Sequence, residues 1–352
     1  MSSINLAAYG LTSQYLERAK AYDAQYQAGR ILSQEKGLYR LIGADGEQAA
    51  EVSGRFRHNA ACPVDFPVVG DFVVYDANPG GGNAVIHAVL PRKSIFIRRA
   101  AGTANEEQAV AANIDTVFIC MSLNNDYNLK RLERYLSVAW ESGATPAIVL
   151  TKADLCPDRE RAMRDIDSVA IGVDVILTSA FENNVREALL PHLQSGRTIA
   201  LIGSSGVGKS TIINRLLGEQ RLETGGLRND DKGRHTTTRR ELFLLPDGCA
   251  MIDTPGMREL GLSGVDAGLD QSFADVEALA RGCRFRDCSH TTEPHCAVRE
   301  AIAAGRLSEE RLHSYIKLRE ENLRAEDMKG YLAEKKQKFK SIAIINKSAR
   351  KK

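Results

Sequence analysis

No apolar run in the 352 residues approaches the length of a membrane span, so a membrane-embedded role is not expected. Met1 to Gly10 has neither a basic flank nor a sustained apolar core, so no secretory leader is expected. Cysteine is sparse and odd in number. Seven in a chain this long do not suggest a disulfide framework, and a reducing cytoplasm is the expected compartment. Net charge is small as well: 47 Lys and Arg against 45 Asp and Glu leave +2, which argues for no partner by itself. Its distribution is uneven, because from Lys329 to Lys352 nine basic residues face one acid, Glu334. The apolar fraction of 43% supports real cores, and the length fits two or three domains.

Glycine, by contrast, stands at chosen places. Gly203, Ser204, Ser205, Gly206, Val207, Gly208, Lys209 and Ser210 in succession read as G-x-x-x-x-G-K-[ST], a phosphate-binding loop. A short apolar strand, 198–202, precedes it, and helical spacing over 211–217 follows, with Gly218 placed to stop the helix. The glycines let successive N–H groups turn inward, and the helix start adds a positive dipole end. Lys209 would reach the β- and γ-phosphates, the Ser210 hydroxyl would bind Mg²⁺, and Thr211 joins the nucleotide contacts.

The remaining texture divides the chain. Residues 1–35 read as a polar extension with a helix around 12–26. Residues 36–100 carry five short strands (37–42, 49–57, 71–75, 84–90, 94–97) and read as an all-β OB-fold barrel. Arg55, Arg57, Arg92, Lys93, Arg98 and Arg99 make that unit locally basic, as a nucleic-acid binder would be. Residues 101–265 alternate strand and helix, which implies a largely parallel α/β sheet with ligand loops at the strands' C-terminal ends. A helical segment over 266–328 and a basic tail over 329–352 follow. Ser308 can cap a helix there, with Leu312, Tyr315, Ile316 and Leu323 on one side.

Two further motifs select the nucleotide. Asp253-Thr-Pro-Gly256 has the form D-x-x-G, in which Asp253 would hold Mg²⁺ through water and the Gly256 N–H would contact the γ-phosphate. Thr151, Lys152, Ala153 and Asp154 form a guanine-reading T-K-x-D. Its carboxylate suits the paired N1–H and amine donors of guanine, and adenine would leave it unpaired. Another strand ends at Thr178, Ser179 and Ala180, whose backbone would meet guanine O6. An ATP-dependent enzyme would require Asp154 to be irrelevant.

The base-reading motifs precede the phosphate loop, the reverse of the ordinary order. In this the chain resembles the circularly permuted GTPases, and over residues 36–330 it resembles the small ribosomal subunit-dependent family of assembly GTPases. That resemblance implies a monomeric protein that binds the 30S subunit and its 16S rRNA late in assembly. It also implies hydrolysis of GTP to GDP and phosphate, stimulated by the subunit. The alternative is a nucleotide-gated rRNA-binding module with incidental turnover.

Between the loop and Asp253 runs Gly233-Arg-His-Thr-Thr-Thr238, preceded by a Gly/Asp/Asn-rich stretch that Mg-GTP would order. Thr236, Thr237 or Thr238 can complete the Mg²⁺ shell, and the family resemblance favours Thr237. Met257 stands where many GTPases carry a water-orienting Gln, so another group must place the water. His235 is the candidate by its imidazole, and the resemblance implies the same catalytic role. Finally, Cys283, Cys288 and Cys296 with one histidine offer the donor set of a closed structural Zn²⁺ site. His290 and His295 compete for the fourth place, and the family pattern favours His290. Cys62, Cys120, Cys156 and Cys249 read as incidental or buried thiols.

Overall fold

The computed structural model describes residues 5–23, 25–35, 37–77, 81–99, 107–124, 126–179, 185–219, 240–253 and 265–323. Helix α1 (Ser13–Lys20) leads into a five-stranded barrel: β1 (Gln27–Glu35), β2 (Leu38–Gly43), β3 (Gly46–Val52), β4 (Phe72–Asp76) and β5 (Ala84–Val89), with α2 (Gly54–Asn59) between β3 and β4. Strand β1 closes the barrel by pairing antiparallel with both β2 and β4, while β3 runs parallel to β5. Ile31, Leu41, Ala50, Val73, Tyr75 and Ile86 fill it. This connectivity is that of an OB-like barrel.

The strand count matches the sequence reading, but the membership differs. Residues 27–35, assigned above to the extension, supply the first strand, and the helix expected over 12–26 is confined to α1. The reason lies in Arg30 and Ser33, polar residues that are buried, so the strand shows no alternation. The strand expected over 49–57 ends at Val52, because the Ser53 hydroxyl accepts from the Phe56 N–H at 3.0 Å and starts α2. Residues 94–97 lie outside the barrel: β6 (Ile95–Arg99) forms a separate hairpin with β7 (Glu107–Ala112).

The second unit is a sheet of β8 (Thr116–Ser122), β9 (Thr145–Thr151), β10 (Asp174–Leu177), β11 (Thr198–Ile202), β12 (Glu241–Leu244) and β13 (Ala250–Asp253). Its order is β10-β9-β8-β11-β13-β12, parallel except for the edge strand β12. Helices α3 (Leu129–Glu141), α4 (Arg159–Asp167), α5 (Val185–Leu189) and α6 (Lys209–Leu217) cover its faces. Both faces are dry, as parallel sheets require. Val117, Ile119 and Met121 of β8 enter one apolar cluster, and Phe118 and Cys120 enter the other. A buried phenylalanine such as Phe118 stabilises by about 1.5–3 kcal/mol. An exposed pair such as Arg161–Asp165 contributes about 0.2–1 kcal/mol. Apolar burial decides the architecture.

Helices α7 (Asp266–Ser272), α8 (Ala274–Ala280) and α9 (Ala297–Ala303), and a tenth, α10, over 309–323, complete the described chain. As expected, the Ser308 hydroxyl caps α10 by accepting from the Arg311 N–H at 3.1 Å.

Barrel and sheet are one hydrogen-bonded surface, because β1 pairs with β12 at Ser33 and Glu241. Arg30 reinforces the seam. It is fully buried, and donates to the carbonyls of Tyr9 (2.6 Å), Gly70 (3.2 Å) and Asn113 (3.4 Å) and to Thr198 Oγ1 (2.8 Å). Desolvation lowers its pKa to about 10, so it remains cationic near neutrality. Replacing it would leave several buried acceptors unpaired. Arg30→Met is therefore expected to destabilise the protein by about 2–4 kcal/mol, read as a lower urea midpoint. An unchanged midpoint would show that the seam stands without it.

Candidate functional site

The five residues of β11 are all buried, and the strand delivers Gly203 at its C-terminal end. Gly203 has φ +141°, and a Cβ there would collide with the Cys120 carbonyl oxygen, so only glycine fits. Gly208, at φ +102°, is the N-cap of α6, which places Lys209, Ser210 and Thr211 on its first turn. Ile212, Ile213 and Leu216 anchor that helix, and Gly218 ends it at φ +75°, as the sequence anticipated. Lys209 Nζ donates to the Gly203 carbonyl at 2.7 Å and to the Ser204 carbonyl.

The T-K-x-D segment arrives from β9 and lies against this loop. Thr151 Oγ1 donates to the Val207 carbonyl at 2.5 Å, and Lys152 Nζ to the Gly206 carbonyl at 3.0 Å. Lys152 adopts φ +56°, a left-handed kink that turns the chain from the strand into the Ala153 and Asp154 turn. Thr178, just past β10, bonds back to Leu150 through both its N–H and its hydroxyl. The next residue, Ser179, is buried and donates its hydroxyl to Asp154 Oδ1 at 2.6 Å. Sequence reasoning assigned Ser179 a backbone role only, and no spacing rule reveals this hydroxyl bond. Two arginines were also missed. Arg159 Nε donates to the Ala153 carbonyl at 2.7 Å, and Arg131 of α3 reaches Ser204 Oγ at 2.5 Å.

Asp253 ends β13, which is the parallel neighbour of β11 with Ala200 opposite Ile252, so both strands run out at the same end of the sheet. Ala180, His235, Thr236, Thr237, Thr238, Gly256, Met257 and the tail over 329–352 lie outside the described residues. Of the six basic residues that the sequence groups with the barrel, Arg98 and Arg99 stand on β6 outside it, and Arg92 is committed to the fold. It bonds Asp71 twice, at 2.8 and 2.7 Å, and the carbonyls of Val64 and Phe66. Lys93 likewise pairs with Asp115 at 2.5 Å. Arg55 and Arg57 on α2 are exposed.

A second constellation follows α8. The donor atoms of Cys283, Cys288, His290 and Cys296 lie within 4.8 Å of one another. His290 Nδ1 is 3.6 Å from Cys283 Sγ and 3.5 Å from Cys296 Sγ, and the two sulfurs are 3.9 Å apart. Thiolates about 2.3 Å from a shared tetrahedral ion lie about 3.8 Å apart, so the residues fit a metal ion. Burial lowers the His290 pKa, which favours the neutral imidazole that ligation needs. Burial and the neighbouring thiols push the Cys288 thiol up to about 11, a preference that a cation among them would reverse. Of the two histidines, it is His290 whose ring nitrogen lies with the three cysteine sulfurs. Glu293 braces the turn by accepting from the Ser289 hydroxyl and N–H and from the Thr291 and Thr292 N–H groups.

The RsgA GTPase family model matches residues 89–263. A model described as 50S ribosome-binding GTPase matches 198–347, beginning at β11 and so omitting the Thr151–Asp154 segment. Whole-length relatives carry small-subunit names and weigh more than that partial match. Small ribosomal subunit biogenesis GTPase RsgA 2 of Lactiplantibacillus plantarum is 48% identical over 320 residues, covering 91% of this chain and 90% of its own. Small ribosomal subunit biogenesis GTPase RsgA of Methanosarcina acetivorans is 43% identical over 335 residues, covering 94% and 89%. Among solved structures, YjeQ from Thermotoga maritima is similar with a TM-score of 0.64 at 25% identity, covering 85% of this chain and 99% of its own. YloQ, described as a circularly permuted GTPase, gives 0.59 at 25% identity, with 86% and 96% covered. With likeness along nine-tenths of its length and its nucleotide motifs brought together in permuted order, the chain belongs to the RsgA family of circularly permuted GTPases.

Proposed function

We propose that this GTPase binds the 30S ribosomal subunit during late assembly, hydrolyses GTP to GDP and phosphate faster in its presence, and then leaves. The reading is carried by one observation: loops from β9, β10 and β11 interlock through Thr151–Val207, Lys152–Gly206 and Asp154–Ser179 in a chain akin over 91% of its length to a small-subunit biogenesis GTPase. The protein acts as a cytoplasmic monomer.

Each residue then has a task. The N–H groups of Gly203 to Gly208 cradle phosphates, and Lys209 turns from the loop carbonyls to the β- and γ-phosphates. Ser210, Thr237 and Asp253 would hold Mg²⁺, directly or through water, which screens the developing phosphate charge. Gly256 contacts the γ-phosphate through its N–H. Asp154 accepts from guanine N1–H and amine, held in line by Ser179, and the Ser179–Ala180 backbone meets O6. His235 orients the attacking water in place of the glutamine that Met257 replaces. The three thiols and one imidazole would hold a structural Zn²⁺ ion, since four protein donors leave no open position. Arg55, Arg57 and the tail supply phosphate-backbone contacts to 16S rRNA.

Met257 also favours a second reading, in which the protein is a nucleotide-gated assembly module with incidental turnover. Turnover measured with and without purified 30S subunits separates the two, and strong stimulation identifies the coupled enzyme. His235→Ala is expected to lower turnover by about 100-fold while GTP affinity holds. Unchanged turnover would remove the residue from the mechanism. Asp154→Asn should erode the preference for GTP over ATP by about tenfold or more in competition binding. Cys296→Ser should cost the protein one equivalent of zinc by elemental analysis and lower its melting temperature. Full metal retention would exclude the cluster.

A further inference from the structure

The phosphate loop is gripped from two sides. Its later half is tied to β9, through Thr151 to the Val207 carbonyl and through Lys152 to the Gly206 carbonyl. Its earlier half is held from within by Lys209, which donates to the carbonyls of Gly203 and Ser204. From outside it is held by Arg131, whose Nη1 donates to Ser204 Oγ at 2.5 Å. The other terminal nitrogen of that guanidinium, Nη2, donates to Asp126 twice, to the carbonyl at 2.8 Å and to Oδ1 at 2.9 Å. The anchor is itself braced. Asn124 Oδ1 accepts from Ser122 Oγ at 2.8 Å and from the Asp126 N–H at 3.1 Å. Asn128 caps α3 by accepting from the Arg131 N–H at 3.0 Å. Arg131 therefore projects from the first turn of a fixed helix, with a planar fork that spans two sets of acceptors. A lysine ammonium is a point charge and cannot span them in the same way.

We propose that Arg131 is a positioning residue for GTP hydrolysis, acting through Ser204. The inference rests on the nucleotide reading above, in which Lys209 leaves the loop carbonyls for the phosphates. When it does, the internal hold on Ser204 is released and the Arg131 bond remains. The later half of the loop keeps its own ties to β9, so nucleotide binding depends little on Arg131. Alignment of the earlier half, and with it the rate of the chemical step, depends on it strongly. Small misplacements of this kind cost rate far more than affinity.

The test uses the full-length protein with single-turnover GTP hydrolysis and equilibrium binding of fluorescent GDP. Arg131→Gln and Ser204→Ala should each slow hydrolysis by about tenfold, with the GDP Kd changed by less than about twofold. The double variant should be no slower than either single one, because one bond is removed in each case. Arg131→Lys should remain close to Arg131→Gln. Retained GDP binding reports an intact pocket, whereas wild-type protein that binds no GDP would refute the nucleotide reading itself. The proposal is overturned if Arg131→Gln hydrolyses at the wild-type rate, if the two effects multiply, or if GDP affinity falls as far as the rate.

Discussion

Two hydrogen bonds tie the end of β9 to the glycine-rich loop after β11, and both cross a long stretch of chain. Thr151 reaches Val207 56 residues away, and Lys152 reaches Gly206 54 residues away. Each joins the T-K-x-D segment to the G-x-x-x-x-G-K-S loop. They are possible because β9, β8 and β11 are successive parallel strands whose C-terminal ends form one rim. Strand order in space, not along the chain, is what such a site requires. A permuted chain that keeps the spatial order keeps the site, because loops from different strand ends meet there in either case.

The same logic explains how the barrel is attached. Strand β12 is the edge of the nucleotide-binding sheet, and an exposed edge would invite foreign pairing. Here β1 covers it at Ser33 and Glu241, and Arg40 of β2 donates to Glu241 at 3.2 Å. Among the described residues β1 and β12 pair in register at Ser33 and Glu241, and Arg30 adds a second joint beside that pairing. It spans the N-terminal segment, the barrel and the first residue of β11 with one side chain. Burying a guanidinium is costly, and the cost is offset because each of its three nitrogens meets an acceptor and the cation lies 4.7 Å from the Phe72 ring centre. The barrel is thus fixed to the strand that leads directly into the phosphate loop.

Legibility in the sequence followed locality. The phosphate loop, the T-K-x-D turn and the Cys/His spacing are short and chemically singular, and the described parts of each fold where their flanks predicted. The barrel's first strand was not readable, because Arg30 and Ser33 break the apolar pattern for the sake of a long-range joint. Arg92 and Lys93 looked like a surface charge run for the same reason, since their partners Asp71 and Asp115 are 21 and 22 residues away. Side chains that act across the fold, such as Arg131 on Ser204 at a separation of 73 residues, leave no periodic trace.

The region that carries the Cys283, Cys288, His290 and Cys296 cluster is not independent of the sheet. Phe273, Val276, Val298, Leu312 and Tyr315 belong to the apolar cluster that also contains Leu132, Leu136 and Ile119. At its centre Arg311 is buried, with Glu133 of α3 at 2.8 Å, Asp275 at 3.0 Å and the Phe273 ring centre at 4.1 Å. Glu141 of α3 accepts from the Gly268 N–H at 2.8 Å, where a side chain on Gly268 would strike the Ser137 carbonyl oxygen. Buried ion pairs add little net stability compared with apolar packing, but removing one partner is expensive. They therefore fix which arrangement forms more than how strongly it forms. Helix α3 meets the phosphate loop through Arg131 and the C-terminal helices through Glu133, two residues further on. A metal ion that orders the Cys283–Cys296 segment would thus consolidate the packing that also seats α3 against the phosphate loop.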